Sequence, residues 1–86
     1  MKNKYTINNY ENFRNIFDYY QKEQKISCKE LARKSGISEA RIYDIRNKGY
    51  RPRFEEVIDL GKAMDLEDNQ IAELLCAAGY EKYVWF

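Results

Sequence analysis

Apolar residues recur at helical spacing in five blocks of this chain, and each block is bounded by residues that start or stop helices. The first block places Tyr10, Phe13, Phe17 and Tyr20 on one stripe with Ile16 beside it, and Asn8 with Glu11 three residues later resembles a capping box. The pattern fades at "KEQK". The second block opens with Ser27 and Glu30, another S-x-x-E signature, puts Cys28, Leu31 and Ala32 on one face, and stops at Gly36. The third opens at Ser38, directs Ile42 and Ile45 one way and Glu39, Ala40, Tyr43, Asp44 and Asn47 the other, and stops at Gly49. Pro52 precedes or begins the fourth, whose inner stripe is Phe54, Val57, Ile58, Gly61 and Met64. The fifth follows the acidic run "DLEDN", repeats Ile71, Leu74, Leu75 and Ala78 with the cleanest period in the chain, and stops at Gly79.

No strand pair bounded by a hairpin turn interrupts these blocks, so the pattern predicts an all-α fold of five helices. The length of 86 residues predicts one domain over 1–86, with its core in 10–79 and an aromatic tail in 80–86. The second and third helices are short, and a turn of three or four residues including Gly36 joins them. That arrangement predicts a helix-turn-helix. Ile37 is placed to plug the angle between the two helices, while Leu31, Ala32, Ile42 and Ile45 pin them to the core. The outer face of the third helix is then left over for another task. The major groove of duplex DNA is wide enough to admit one helix.

Charge adds to this picture. The formal net charge of +1 conceals a division of the chain. Residues 22–53 carry ten bases against four acids (net +6), whereas residues 54–86 carry two bases against eight acids (net −6). The basic segment coincides with the helix-turn-helix, as a phosphate-binding face requires.

The stretch "LARKSGISEARIYDI", with Ser27 before it and "GYRPRF" after it, resembles the Cro/repressor (XRE-type) helix-turn-helix family over roughly residues 12–79. Leu31-Ala32, Gly36-Ile37-Ser38, Ile42, Ile45 and Pro52 carry the resemblance. It implies a five-helix repressor-like domain that binds double-stranded DNA. It also implies roles for particular residues. Glu39, Ala40 and Asp44 would face base edges, with Tyr43 beside them, and an acid there can accept from the exocyclic amine of cytosine. Lys29, Arg41, Asn47, Arg51 and Arg53 would meet phosphates, as would main-chain N–H groups at the start of the fourth helix. Three departures from the family pattern involve four positions. Cys28 replaces the glutamine that often opens the second helix. Arg46 replaces the usual closing glutamate of the third helix, and Gln21 replaces its arginine partner, so both members of that ion pair are gone. Gly49 comes one residue late.

Other functions find little support. With no histidine, no phosphate-cradling glycine loop and no paired acids in a cleft, no catalytic constellation emerges, and an enzyme is not expected. Nor is a metal, cofactor or small-molecule ligand. Cys28 and Cys76 lack ligand-like spacing and are expected to be small buried hydrophobes. No apolar run approaches the roughly 20 residues of a membrane helix, and the N-terminal residues lack a signal-peptide core, so a cytoplasmic location without membrane partners is expected. The tail residues Tyr80, Tyr83, Val84, Trp85 and Phe86 are too apolar for a free end and either fold back over the domain's own core or pack on a second copy. The second reading is preferred, with Tyr83, Val84, Trp85 and Phe86 as the contact of a homodimer on a palindromic operator. The alternative is a protein-interaction module on the same fold, an antitoxin or docking domain, suggested by the acids on the third helix and the modest net charge.

Overall fold

The computed structural model describes residues 10–81. Five helices follow one another: α1 (Tyr10–Glu23), α2 (Cys28–Ser35), α3 (Glu39–Asn47), α4 (Phe54–Ala63) and α5 (Asp68–Ala77). α4 packs on α5 and α2, and α1 lies across α5 and α3, so α3 is held between α1 and α2 with one side left open. The first-helix cap at Asn8 and the side chain of Tyr10 lie outside the described residues.

The core matches the apolar stripes. Phe13, Phe17, Leu31, Ile42, Ile45, Val57, Met64, Leu74 and Leu75 are buried, and Leu60 joins them from α4, a position the predicted stripe omitted. Burying each such side chain contributes about 1.5–3 kcal/mol. Phe54 and Ile58 are only partly buried at the edge of this cluster. Gly61 belongs to the stripe because α4 and α5 cross closely there. A Cβ at Gly61 would lie 2.6 Å from Cγ1 of Ile71.

Three helices end in the same way. After α1, α4 and α5 the chain enters the left-handed region, at Lys25, Asp65 and Gly79, and the following amide donates back five residues: Ile26 to Gln21 O, Leu66 to Gly61 O, and Tyr80 to Leu75 O. Each turn thereby folds an apolar side chain back onto the core. Only Gly79 announces such a turn in the sequence. Lys25 and Asp65 adopt it at a steric cost that the apolar residue behind each one offsets.

Across the back of the domain, the Tyr20 hydroxyl on α1 donates to the Glu73 carboxylate on α5. That hydrogen bond to the anionic carboxylate, with burial and the carboxylate's charge added, pushes the phenol up to about 12. Cys28 is half-buried and Cys76 is exposed. The expectation of buried thiols therefore fails for Cys76, which lies on the outward side of α5 although its neighbours Leu74 and Leu75 are inside.

Candidate nucleic-acid interface

The α2–α3 turn is built from local chemistry. Ser27 caps α2, its hydroxyl accepting from the Glu30 amide at 3.1 Å. The Glu30 carboxylate turns outward to Arg33. Gly36 ends α2 at φ 78°, with its N–H donating to Ala32 O, and no heavy atom would obstruct a Cβ there. The glycine is thus required by backbone conformation, not by crowding. Ser35 Oγ then accepts from the Ile37 amide, and Ser38 Oγ accepts from the Arg41 amide, each at 3.1 Å. Ile37 packs on the core from the turn itself. Burial of Ile42 and Ile45 sets which face of α3 points outward.

On that outer face Glu39, Ala40, Tyr43 and Asn47 are exposed, Tyr43 to 57%. Asp44 is half-buried, with its carboxylate 3.5 Å from Lys48 Nζ one turn later. The structure thus brings together all four residues assigned to base edges. Lys29 and Arg53 are exposed at the flanks, and Tyr50, 46% exposed, follows in the loop beyond α3.

Two of the arginines assigned to phosphates are engaged inside the protein. The Arg41 guanidinium binds the Glu56 carboxylate in a two-pronged pair, Nε to Oε2 at 3.0 Å and Nη2 to Oε1 at 2.9 Å, and also reaches Arg51 O at 3.3 Å. Arg51 turns away from α3. Its Nε donates to Ala78 O at 2.9 Å, its Nη2 to Gly79 O at 3.2 Å, and its guanidinium lies 4.1 Å from the centroid of the Tyr80 ring. Carbonyls at the end of α5 and an aromatic face are good partners for a planar cation, which explains the inward turn.

The start of α4 is also partly occupied. The Arg53 amide donates to Glu56 Oε1 at 2.7 Å, so one main-chain donor expected to face phosphate is satisfied by the protein's own carboxylate. Burial alone would raise the Glu56 carboxyl, but the hydrogen bonds from Arg41 and the Arg53 amide outweigh it and hold the group below its usual value.

The lost ion pair between α1 and α3 proves to be rebuilt with its charges exchanged. Arg46 on α3 binds the Asp18 carboxylate on α1, one turn before Gln21. Lys22 also binds Asp18, at 3.0 Å. The hydrogen bond from Lys22 lowers the Asp18 carboxyl; burial opposes it and the charge of Arg46 reinforces it. Gln21 is buried and donates to Ile26 O at 3.0 Å and to Cys28 Sγ at 3.5 Å, and Arg46 donates to the same sulfur at 3.6 Å. Cys28 therefore serves as an acceptor where α1, α2 and α3 meet. The sequence held the signal for this exchange, because Asp18 and Gln21 are three residues apart and share a face of α1. Among the described residues, no group of three or more acids or cysteines is arranged to hold a metal, and no helix is long and apolar enough to cross a membrane.

A helix-turn-helix family model matches residues 19–71, well over half of the chain and including the whole capped turn. The chain belongs to the Cro/repressor (XRE-type) helix-turn-helix family. As an XRE-type protein it is a DNA-binding regulator, and α3 occupies the position of the recognition helix. No curated protein and no solved structure gives a significant match to this XRE-type chain.

Proposed function

We propose that this protein is a sequence-specific transcriptional repressor that occupies a palindromic operator as a homodimer. The observation that carries the reading is the division of α3: Ile42 and Ile45 are buried, while Glu39, Ala40, Tyr43 and Asn47 face outward with Asp44 beside them. A helix fixed on one side and polar on the other can enter the major groove in one orientation. In this reading Lys29, Asn47 and Arg53 meet phosphates, and Arg41 and Arg51 act from inside the protein. The whole chain forms a single domain acting in the cytoplasm. Residues 83–86, which lie outside the described residues, supply the contact with the second copy.

Selection of bound duplexes from a random pool tests this reading. The expected result is an inverted repeat whose half-site spacing matches one turn of DNA or a multiple of it. Enrichment of an unrepeated site would reject the symmetric dimer. No enrichment at low salt, with folded protein, would reject operator binding. The competing reading is a protein-docking module. It gains from the inward turn of Arg41 and Arg51, which removes two cations from the face that carries Glu39 and Asp44.

A further inference from the structure

We propose that Arg51 and Tyr80 are positioning residues for DNA binding: together they fasten the α3–α4 loop to the end of α5 and act on DNA without touching it. The inference rests on the reading of α3 and Arg53 as the DNA face.

The loop after α3 spans residues 48–53 and carries the exposed Arg53 at its end. A loop of that length would ordinarily sample several conformations, which would smear any contact it makes. Here it is fastened from both sides. From the α3 side, Arg41 holds Arg51 O. From the α5 side, Arg51 grips the carbonyls of Ala78 and Gly79, and the Tyr80 hydroxyl donates to Pro52 O at 2.9 Å. The Tyr80 ring is enclosed as well, with the Arg51 guanidinium over its face and the Phe54 ring edge-on at 5.5 Å. Each partner is therefore used twice, and the loop's proline and the arginine before it are tied to a segment 27 or 28 residues further on.

Gly79 belongs to the same device. Its φ of 92° turns the chain so that Tyr80 can reach back, and a Cβ there would lie 3.2 Å from Arg51 Nη2.

The salt dependence of DNA affinity separates positioning from direct contact. A residue that binds phosphate contributes about 0.9 to the slope of log affinity against log salt, and a positioning residue contributes nothing. The experiment compares wild type with Tyr80→Phe, Arg51→Lys and Arg53→Ala on a mixed-sequence duplex, at a temperature where circular dichroism shows each fully folded. Hydrogen exchange of the loop amides is followed in the free proteins. We expect Tyr80→Phe to weaken binding about five-fold, the ordinary net worth of one hydrogen bond, with unchanged slope and faster exchange at Tyr50 and Arg51. Arg51→Lys keeps the charge but loses the planar fork, and should weaken binding by about ten-fold or more, again with unchanged slope. Arg53→Ala should lower the slope by about 0.9. Near-wild-type affinity in Arg51→Lys, or unaltered affinity and exchange in Tyr80→Phe, would overturn the proposal while leaving DNA binding intact. Wild-type protein that binds no duplex at low salt would overturn the DNA reading, and this proposal with it.

Discussion

The two ends of α3 are held by different kinds of force. At its start, the α2–α3 turn is fixed by short-range devices: the Ser27 and Ser38 caps, the left-handed Gly36, and the apolar plug Ile37, all within twelve residues. At its end, the left-handed Gly49 and the Lys48 and Tyr50 amides on Asp44 O are joined by long-range polar bonds on the 48–53 loop, Arg41 to Glu56 and Arg51 to the end of α5. A cap closes with little chain to order and works at any pH where serine stays neutral. An arginine bond across 27 residues requires the rest of the fold first, and it answers to charge and salt. The recognition helix is thus made locally at one end, while the other adds long-range bonds to its local ones.

Both ends depend on the shared core, and the largest expected effect comes from damaging it. Leu31 is fully buried where α2 meets α3 and α4. Leu31→Ala should destabilise the protein by about 2–5 kcal/mol, through lost transfer energy and the cavity left behind. Urea unfolding followed by circular dichroism measures it. A loss below about 1 kcal/mol would mean that the capped turn does not draw on this side chain, which the burial makes untenable as packing.

The contrast between the two ends also explains what could be read from the sequence. Serine and glycine at helix boundaries act on their own neighbours, so Ser27, Gly36, Ser38 and Gly79 identified their turns directly. The core stripes are legible for the same reason, since period is local, and Leu60, three residues after Val57, fits the same period. Arginine is different. Arg41, Arg46 and Arg51 all lie in the basic segment, and by composition alone each looks like a phosphate ligand or a solvated charge. Their partners Glu56, Asp18 and the α5 carbonyls are 15, 28 and 27 residues away, and only Asp18, on the same face of α1 as Gln21, is signalled by the pattern. Of the tail aromatics, Tyr80 takes the fold-back alternative and joins the domain's own loop clamp, while Tyr83 to Phe86 lie outside the described residues. Cys76 was misread because its neighbours are apolar, although its place on α5 turns it outward.

The second prediction concerns the charged end. Glu56→Gln removes the charge from the pair with Arg41 and from the contact with the Arg53 amide, while keeping an acceptor. Both partners are mostly shielded, the glutamate side chain 16% and the arginine 31% exposed. The pair is then worth more than a surface bridge and less than a fully buried one, about 1–2 kcal/mol after screening at Arg41. The sign of the pH effect follows from the carboxyl's lowered value. A group more acidic in the fold than in the unfolded chain contributes its stability above the unfolded value, and the contribution fades as pH falls through the folded one. Wild-type stability should therefore decline as pH drops below the glutamate's ordinary 4.5, and Glu56→Gln should flatten part of that decline. Asp18, lowered in the same direction, supplies another part that the substitution leaves in place. Chemical unfolding at neutral and acid pH gives the comparison. If the two proteins lose stability in parallel, the Arg41–Glu56 pair contributes nothing to the acid response.

The smallest effect should come from the local end, and its form matters more than its size. Ser38→Ala removes the hydroxyl that accepts from the Arg41 amide and leaves every arginine bond in place. The expected loss is about 1 kcal/mol, the usual worth of a serine cap. Because serine does not titrate in the range where glutamate does, this loss should be the same at neutral and acid pH, unlike that of Glu56→Gln. Hydrogen exchange sharpens the distinction. The freed amide of Arg41 sits in the first turn of α3, so exchange should quicken there and leave the 48–53 loop as slow as in wild type. Should the loop quicken too, the two ends of the recognition helix would be one cooperative unit. The capped turn would then be transmitting through Arg41, the one residue whose amide binds Ser38 at the local end and whose guanidinium binds Glu56 at the other.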